Sequence, residues 1–310
     1  MVPLKRRIFL LILLILLLLF FIGGPDYNSP RSYKSFWNLG HILFFLIFPL
    51  LFFSYKRISS NYLTQCILAL AITIILGTII ELLQGGFQRT PDTGDLFRNI
   101  IGVMAYIFFI LPSRKTISKI ILLIMQSGTV VLIGLQIYPV IIAIADEYIA
   151  SRQFPVLSGF ETPFEIQRWS GDADFIIDER IKKTGKASMR VLLSTSKYSG
   201  AGLRYFPKNW EGYSYFQFAV FNPSPEVISI TCRIHDKKHA EQEDQRYEDR
   251  FNRTFSIPQG WTTLTVSLKE IMYAPKNRQM NMHEIYNILF FAKNLPYQRI
   301  IYIDDVKLLA

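Results

Sequence analysis

Charged and polar residues cluster in an otherwise apolar part of the chain, between Glu81 and Gly102. Charged side chains are costly in a lipid bilayer, so within apolar segments they usually face a protein interior or a wet cavity and have a function. Arginine suits an anionic ligand, because its guanidinium group binds phosphate or carboxylate through two parallel hydrogen bonds. The stretch therefore predicts a pocket for an anionic or polar ligand, formed by Glu81, Gln84, Arg89, Asp92, Asp95, Arg98 and Asn99.

A histidine outside this stretch, His41, adds a candidate catalytic group. Histidine titrates near neutral pH and a carboxylate can orient its ring, so His41 could form an acid/base pair with Glu81 or Asp95. The sequence has no Gly-x-Ser-x-Gly, no His-Glu-x-x-His and no phosphate-binding loop to accompany such a pair. Ligand binding, catalysis and a purely structural ion-pair network that sets helix register therefore stay open as interpretations, with enzymatic activity the less favoured of the two functional ones.

Five apolar segments are expected to position these groups. Most of them approach the roughly 20 residues that an α-helix needs to cross a bilayer. No convincing cleavage pattern follows the first segment, so we expect it to remain as a span rather than to be removed as a signal peptide. The predicted transmembrane domain covers residues 1–149, with spans at about 8–22, 36–55, 62–83, 95–111 and 117–145.

The basic residues that flank these segments predict the orientation of the chain. If the N-terminus is cytoplasmic, one side of the membrane carries eight of them and the other side four. Because cytoplasmic loops are enriched in Lys and Arg, we expect the N-terminus in the cytoplasm and residues 150–310 outside it, across a bacterial inner membrane. Because the excess of Lys and Arg lies largely beside apolar segments, membrane topology explains the net charge of +10, and we expect no nucleic-acid partner. This topology places His41, Glu81 and Asp95 at the extracytoplasmic face.

Helical spacing arranges the polar residues of the third and fourth spans in two stripes. The first stripe consists of Thr73, Gly77, Glu81 and Gln84, and the second of Asp95, Asn99 and Gly102. Glycine at such positions lets helix backbones approach closely. We therefore expect the two stripes to face each other at the outer end of a small helix bundle.

The order of these residues resembles that of the VanZ-like membrane domain. The resemblance covers roughly residues 36–112 and rests on His41, Glu81, Gln84, Arg89, Asp92, Asp95, Asn99 and Gly102. It implies a protein of the cell envelope, with a role related to low-level resistance to glycopeptide antibiotics such as teicoplanin. The resemblance does not imply a reaction.

The composition changes after Glu147, where short segments of alternating apolar residues begin. They lie at 188–193, 213–221, 227–234, 262–268, 285–291 and 300–308. Apolar residues at every second position indicate strands, and many short strands without intervening helices predict a β-sandwich. The expected fold is thus an α-helical bundle of about five transmembrane helices followed by an all-β jelly-roll sandwich over residues 150–310.

This second half resembles a galactose-binding-like jelly roll of the carbohydrate-binding-module type. The motifs that carry the resemblance are Gly159-Phe-Glu161, Gly185-Lys-Ala-Ser188, Tyr198-x-Gly-Ala, Pro258-x-Gly-Trp261 and the closing segment 301–308. The resemblance implies a structural calcium ion between Glu161 and Asp304, which offer the oxygen ligands that calcium prefers. Ordinary strand-end carboxylates are the alternative, and no other cofactor is implied.

Three aromatic residues of this half, Trp210, Tyr213 and Tyr215, could form a platform on which a sugar ring stacks, although aromatic residues at strand spacing also build cores. The His235-Asp-Lys-Lys-His239 segment and the mixed charges that follow it predict a solvated loop or hairpin rather than a metal site.

The leading hypothesis is an envelope protein that binds or shields a cell-wall or lipid-linked glycan, with the lipid bilayer and a saccharide as its partners. A membrane enzyme acting on a polyprenyl-phosphate or glycolipid substrate and a structural scaffold without a ligand are the alternatives.

Overall fold

A computed structural model describes residues 4–22, 24–25, 29–55, 61–85 and 93–310. The chain divides into two compact units, Met1–Ile144 and Ala145–Ala310. The first unit is helical and the second is an all-β sandwich, which confirms the order of the two fold classes predicted from the sequence.

Apolar helices form the first unit, and the last of them extends into the second. They are α1 (Leu4–Leu19), α2 (Arg31–Tyr55), α3 (Tyr62–Gly85), α4 (Thr93–Ala105) and α5 (Lys119–Gln153), and α4 continues into a π-helical turn at Tyr106–Ile110. Four stretches have the length and composition needed to cross a membrane, namely Arg31–Phe53, Tyr62–Gln84, Thr93–Ile110 and Lys119–Gln153. The first helix is apolar but shorter.

Close helix contacts depend on glycines of the two polar stripes. A Cβ atom at Gly102 of α4 would lie 2.5 Å from the backbone oxygen of Ile42 on α2. A Cβ atom at Gly77 of α3 would lie 2.6 Å from the side-chain nitrogen of Asn99 on α4. Both glycines therefore let α4 approach its neighbours more closely than any other residue would allow.

The sandwich consists of eleven antiparallel strands in two sheets. They are β1 (Val156–Ser158), β2 (Trp169–Gly171), β3 (Asp174–Asp178), β4 (Ser188–Leu193), β5 (Tyr198–Leu203), β6 (Tyr215–Asn222), β7 (Ile228–Asp236), β8 (Phe251–Ile257), β9 (Gly260–Ser267), β10 (Ile285–Lys293) and β11 (Arg299–Leu309). One sheet has the order β3-β4-β11-β6-β9, with β1 paired to β11, and the other has the order β2-β5-β10-β7-β8. Two short helices, α6 (Lys237–Ala240) and α7 (Leu268–Met272), lie outside the sheets.

Alternation along the strands separates a core face from an outer face. On β7, Ile230, Cys232 and Ile234 lie in the core between the sheets. The intervening Thr231 and Arg233 therefore lie on the outer face of the five-stranded sheet, because successive side chains of a strand point to opposite sides.

A buried ion pair joins the end of α5 to the sandwich within the second unit. The guanidinium group of Arg168 donates from Nε and Nη2 to the carboxylate of Asp146, over 2.8–3.1 Å. Its Nη1 atom donates to the backbone oxygen of Leu157. Arg168 and Asp146 are only 1% and 2% exposed, and the buried Glu165 carboxylate lies 3.8 Å from Nη1 of Arg168, so Arg168 compensates buried negative charge.

Candidate functional site

Three helices of the first unit bring His41, Glu81 and Asp95 together. A ring nitrogen of His41 and one carboxylate oxygen each of Glu81 and Asp95, atoms that can bind a metal ion, all lie within 4.8 Å of one another. The Nε2 atom of His41 is 3.4 Å from Oδ2 of Asp95, and its Nδ1 atom is 2.9 Å from Oδ1 of Asn99. His41 and Asn99 are buried, and Asp95 is half-buried. The structure thus joins residues that the sequence predicted to share one depth.

Arg98 is engaged by neighbouring protein groups. Its guanidinium group forms an ion pair with Oδ1 of Asp95, one turn earlier on α4. Its Nε atom donates to Oε1 of Gln136 on α5, over 3.2 Å. An anionic ligand at this place would have to compete with Asp95 for Arg98.

Gln84 contributes to the packing beside this cluster. It is buried, and its Nε2 atom donates over 2.8 Å to the backbone oxygen of Phe20, just beyond the end of α1. Carbonyls at a helix end lack partners within the helix, so this bond anchors α1 against α3. The Phe20 ring in turn packs on His41, with the ring centres 4.6 Å apart. The predicted ligand-binding residues Arg89 and Asp92 lie outside the described residues.

In the second unit, an open groove crosses the outer face of the five-stranded sheet. The strand register places two rows of residues on its floor: Gly200, Phe291, Thr231 and Thr254, and next to them Gly202, Leu289, Arg233 and Asn252. The cavity above them has a volume of about 410 Å³. Because Gly200 and Gly202 have no side chains, the floor is low where it crosses β5.

Aromatic and basic side chains line this groove. Tyr198 is 47% exposed and meets Phe291 edge to face, with the ring centres 5.7 Å apart. The Lys293 ammonium group lies 5.5 Å from the centre of the Tyr198 ring. Just before β8, the Arg250 guanidinium group lies 5.7 Å from the centre of the Tyr247 ring, which is 66% exposed. Such a lining offers both flat apolar faces and hydrogen-bond donors to a ligand.

A second cavity extends the groove. It has a volume of about 510 Å³ and shares Thr231, Thr254 and Lys293 with the first. At its far end the Tyr297 hydroxyl group is hydrogen-bonded to the Glu226 carboxylate. The two cavities together form a path across several strands, which suits an elongated ligand better than a compact one.

The predicted aromatic platform is not formed. Trp210 is fully buried in the core, where its ring stacks on Phe216 with the centres 5.3 Å apart. A ring covered in this way cannot stack on a sugar, so the prediction for Trp210 was wrong. Tyr213 packs partly against the core and meets Phe154 edge to face. Tyr215 is 45% exposed, but it begins β6, which belongs to the sheet opposite the groove.

Glu161 and Asp304 both face the turn that precedes β4. Asp304 accepts hydrogen bonds from the backbone N–H groups of Lys183 and Thr184, over 2.8 and 3.2 Å, and burial raises its pKa. Glu161 accepts from the N–H group of Lys186, over 3.1 Å. Calcium takes six to eight oxygen ligands, whereas the groups bonded to these carboxylates are N–H donors. The donor set does not fit a calcium cage and suits two carboxylates that brace a turn.

The two histidines of the 235–239 segment are buried rather than solvated, which corrects the sequence prediction. Their ring centres are 4.9 Å apart, and burial lowers the pKa of His239 and lowers that of His235 to about 2. Asp236 caps α6 by accepting from the N–H group of His239, over 3.0 Å. Arg278 bridges Asp236 and Asp249, and this bridge helps to keep the pKa of each carboxyl low. The cap and the bridge together draw the segment into the protein.

Lys208 lies beside this polar network. Its ammonium group donates to the backbone oxygen of Tyr286 over 2.8 Å and lies 3.8 Å from the centre of the Phe206 ring. Burial and, to a smaller extent, the charge of Arg204 lower the pKa of Lys208 to about 7.

Comparison with known proteins gives limited similarity. No protein-family model matches the chain, and no curated protein matches it significantly. The resemblance of residues 36–112 to the VanZ-like domain therefore stays a prediction from the sequence.

Solved structures of carbohydrate-binding modules align with about half of the chain. A family 11 module from Clostridium thermocellum, in complex with a β-1,3-1,4-mixed-linked tetrasaccharide, is 15% identical over 50% of this chain and 94% of that chain, with a TM-score of 0.39. A family 22 xylan-binding domain from Paenibacillus barcinonensis is 14% identical over 50% of this chain and 99% of its own, with a TM-score of 0.35. An exo-β-agarase is 12% identical over 49% of this chain and 24% of that chain, with a TM-score of 0.38. At these scores the alignments carry no argument about ligands, and the sandwich assignment rests on the strand order.

Proposed function

We propose that this protein is a membrane-held component of the bacterial cell envelope that binds a cell-wall or lipid-linked saccharide with its sandwich. The observation that supports this best is the extended groove on the five-stranded sheet, lined by Tyr198, Phe291 and Tyr247 and by the cations Arg250 and Lys293. Ligand sites are concave, largely apolar, and equipped with a few polar groups that fix orientation. Sugars match such a site, because they have apolar ring faces and a periphery of hydroxyl groups.

The membrane part of the proposal rests on the surface of the helical unit. Large apolar side chains are exposed along its helices, including Leu82 on α3 at 70% and Ile120 on α5 at 72%. Soluble monomers seldom expose contiguous apolar surface of this kind, whereas a bilayer would cover it. With the N-terminus in the cytoplasm and the shorter α1 as a fifth span beside the four long stretches, the sandwich lies outside, where cell-wall and lipid-linked glycans are found. Shielding of such a glycan would give a role in glycopeptide resistance of the VanZ-like type.

The groove can be tested by blocking it in the full-length protein. Thr254 lines both cavities, so Thr254→Trp would fill the passage between them. Ser256 lies two residues further along the same strand, is also exposed and lines neither cavity, which makes Ser256→Trp the matched control. We expect the wild-type protein in nanodiscs to bind at least one polysaccharide of a panel of bacterial envelope glycans. Thr254→Trp should abolish this binding, and Ser256→Trp should preserve it. Equal binding by both variants would exclude this groove as the site.

The orientation has its own test. Ser196 is exposed on the sandwich, so a membrane-impermeant maleimide reaches a cysteine introduced there only if the sandwich lies on the same side of the membrane as the reagent. The proposal predicts labelling of spheroplasts with an intact inner membrane. Labelling that requires lysis would place the sandwich in the cytoplasm and remove its access to the cell wall.

The grouping of His41, Glu81 and Asp95 favours a second candidate function, a membrane enzyme that acts on a polyprenyl-phosphate or glycolipid substrate. A histidine held between an amide and a carboxylate is suitably placed for proton transfer. Glu81→Gln would then change the envelope lipids while the protein stays at normal abundance. A purely structural cluster would instead show lower protein abundance in Glu81→Ala.

A further inference from the structure

The tautomer of His41 is set by its neighbour on α4. The Oδ1 atom of Asn99 can only accept a hydrogen bond, so the Nδ1 atom of His41 is the donor of the 2.9 Å contact between them. In a neutral imidazole the other nitrogen, Nε2, then carries a lone pair. That lone pair faces Oδ2 of Asp95, another acceptor, at 3.4 Å. Two acceptors that face each other repel unless a positive charge lies close to both, and a proton or a metal ion between them supplies it most directly.

The distance favours the metal ion. Hydrogen bonds between N–H and O have donor–acceptor distances of about 2.7–3.2 Å, most often near 2.9 Å, so 3.4 Å is long for a charged pair. Zinc lies about 2.0–2.2 Å from imidazole nitrogen and carboxylate oxygen in tetrahedral sites, which puts two such ligands about 3.4 Å apart. The His41–Asp95 separation therefore corresponds to one edge of a tetrahedral coordination shell.

Glu81 offers a third oxygen ligand near this pair. Its carboxylate lies on α3, and one of its oxygens is within 4.8 Å of the ligand atoms of His41 and Asp95. The Asp95 carboxylate can serve both neighbours, because Arg98 binds Oδ1 and leaves Oδ2 towards His41. An imidazole and two carboxylates are ligands that Zn²⁺ and similar divalent ions accept.

We propose that His41, Glu81 and Asp95 bind one divalent transition-metal ion, and that Asn99 is the residue that positions His41 for it. Metal-binding histidines usually donate their second N–H group to a carbonyl or carboxylate, which fixes the ring and its tautomer. Three protein ligands leave the fourth position of a tetrahedral ion open, as in catalytic rather than structural sites. This inference concerns the helical unit and does not depend on saccharide binding by the sandwich.

The test uses the untagged full-length protein in nanodiscs, dialysed against buffered Zn²⁺ and analysed for bound metal. We expect one tightly bound equivalent in the wild type, and its loss in His41→Gln and in Glu81→Gln. Asn99→Ala should retain the ligands and weaken Zn²⁺ binding by about 10- to 100-fold. The control is His283→Gln, because His283 also forms a histidine–carboxylate pair, with Glu211 at 2.6 Å, on the exposed surface of the sandwich. This control should bind zinc as the wild type does.

A second measurement avoids the risk that a ligand variant fails to fold. Co²⁺ bound to the wild-type protein should show the strong visible absorption of a four-coordinate ion, and Zn²⁺ should remove it. Three results would overturn the proposal: no tight metal binding by folded wild-type protein, unchanged binding in folded His41→Gln, or loss of binding in His283→Gln. The first of them would mean that a proton, not a metal ion, lies between His41 and Asp95.

Discussion

The helical unit and the sandwich arrange their polar side chains differently. In the helical unit, His41, Asp95 and Asn99 contact one another inside a bundle, and glycines let the helices come close enough for these contacts. In the sandwich, groups such as Tyr198 and Arg250 lie on an outer sheet face with the core behind them. A substitution in the first arrangement disturbs packing and chemistry together. In the second, a side chain can change with little effect on the fold.

The largest expected effect comes from the buried ion pair of the second unit. Arg168→Met removes the positive charge that faces the buried Asp146 carboxylate, and removing one member of such a pair costs about 3–5 kcal/mol. We expect a much lower melting temperature of the sandwich, measured by circular dichroism of the purified protein. Arg253→Met is the control, since Arg253 pairs with Glu270 on the surface and both side chains are 46% exposed. Similar losses in the two variants would contradict the account of the buried pair.

The next effect tests the close approach of helices in the first unit. Gly102→Ala places a methyl group 2.5 Å from the backbone oxygen of Ile42, so α2 and α4 must move apart. Overpacking of this kind costs about 1–3 kcal/mol, and we expect a lower apparent melting temperature in detergent. Gly128→Ala on α5 has open space around its Cβ position, and alanine favours helix formation, so it should be neutral or stabilising. If Gly102→Ala is as stable as Gly128→Ala, the helices do not pack as described.

A pH dependence distinguishes the buried histidines from solvated ones. Burial, together with the charges of Arg233, Arg250 and Lys208, lowers the pKa of His235 to about 2, far below the 6.5 of the unfolded chain. The unfolded state therefore binds the proton first, and the stabilisation present above pH 6.5 is lost as the pH falls towards the folded pKa.

Below pH 6.5, we expect His235 alone to lower the free energy of unfolding by about 1.4 kcal/mol for each pH unit. The pKa of His239 is lowered as well and adds to this slope. Melting curves between pH 7.5 and 5 measure it, and His235→Gln should make the dependence shallower. An identical slope in the variant would mean that His235 is solvated, as the sequence alone suggested.

The smallest expected effect concerns the carboxylates beside β4. Because the Asp304 and Glu161 side chains accept backbone N–H groups, chelation of calcium should leave the melting temperature of the sandwich unchanged. Asp304→Asn should lower it, since one acceptor oxygen is replaced by a donor that faces the N–H groups of Lys183 and Thr184. If added calcium raises the melting temperature, Glu161 and Asp304 do bind the calcium ion that the family resemblance implied.

The sequence predicted each unit to a different extent, for physical reasons. The recurrence of apolar residues at every second position predicted the positions of the core strands closely, and the predicted segment 188–193 coincides with β4. Helical period put Asp95 and Asn99 on one stripe, which the structure places against His41. These successes share one cause, since the repeat of apolar or polar residues along a strand or a helix indicates which of its faces is buried.

The groove was missed because it depends on register between strands. Phe291, Thr231 and Gly200 become neighbours only through the pairing of three strands far apart in the sequence. The glycines of β5 were a signal, because alternate glycines leave one face of a strand bare. Trp210 was misassigned because an aromatic residue outside the regular strand pattern carries no information about burial. The 235–239 segment was misassigned because the Arg278 bridge to Asp236 joins residues far apart in the sequence, which no local pattern reveals.

Saccharide affinity of two matched tyrosine variants tests the central claim most directly. Tyr198 lies in the groove and Tyr215 on the opposite sheet, and they are 47% and 45% exposed. Isothermal titration of the full-length protein with its best-bound oligosaccharide should show that Tyr198→Ala weakens binding by about tenfold, the loss expected for one aromatic contact. Tyr215→Ala should bind as the wild type does. The opposite result, with binding lost in Tyr215→Ala and kept in Tyr198→Ala, would contradict the account.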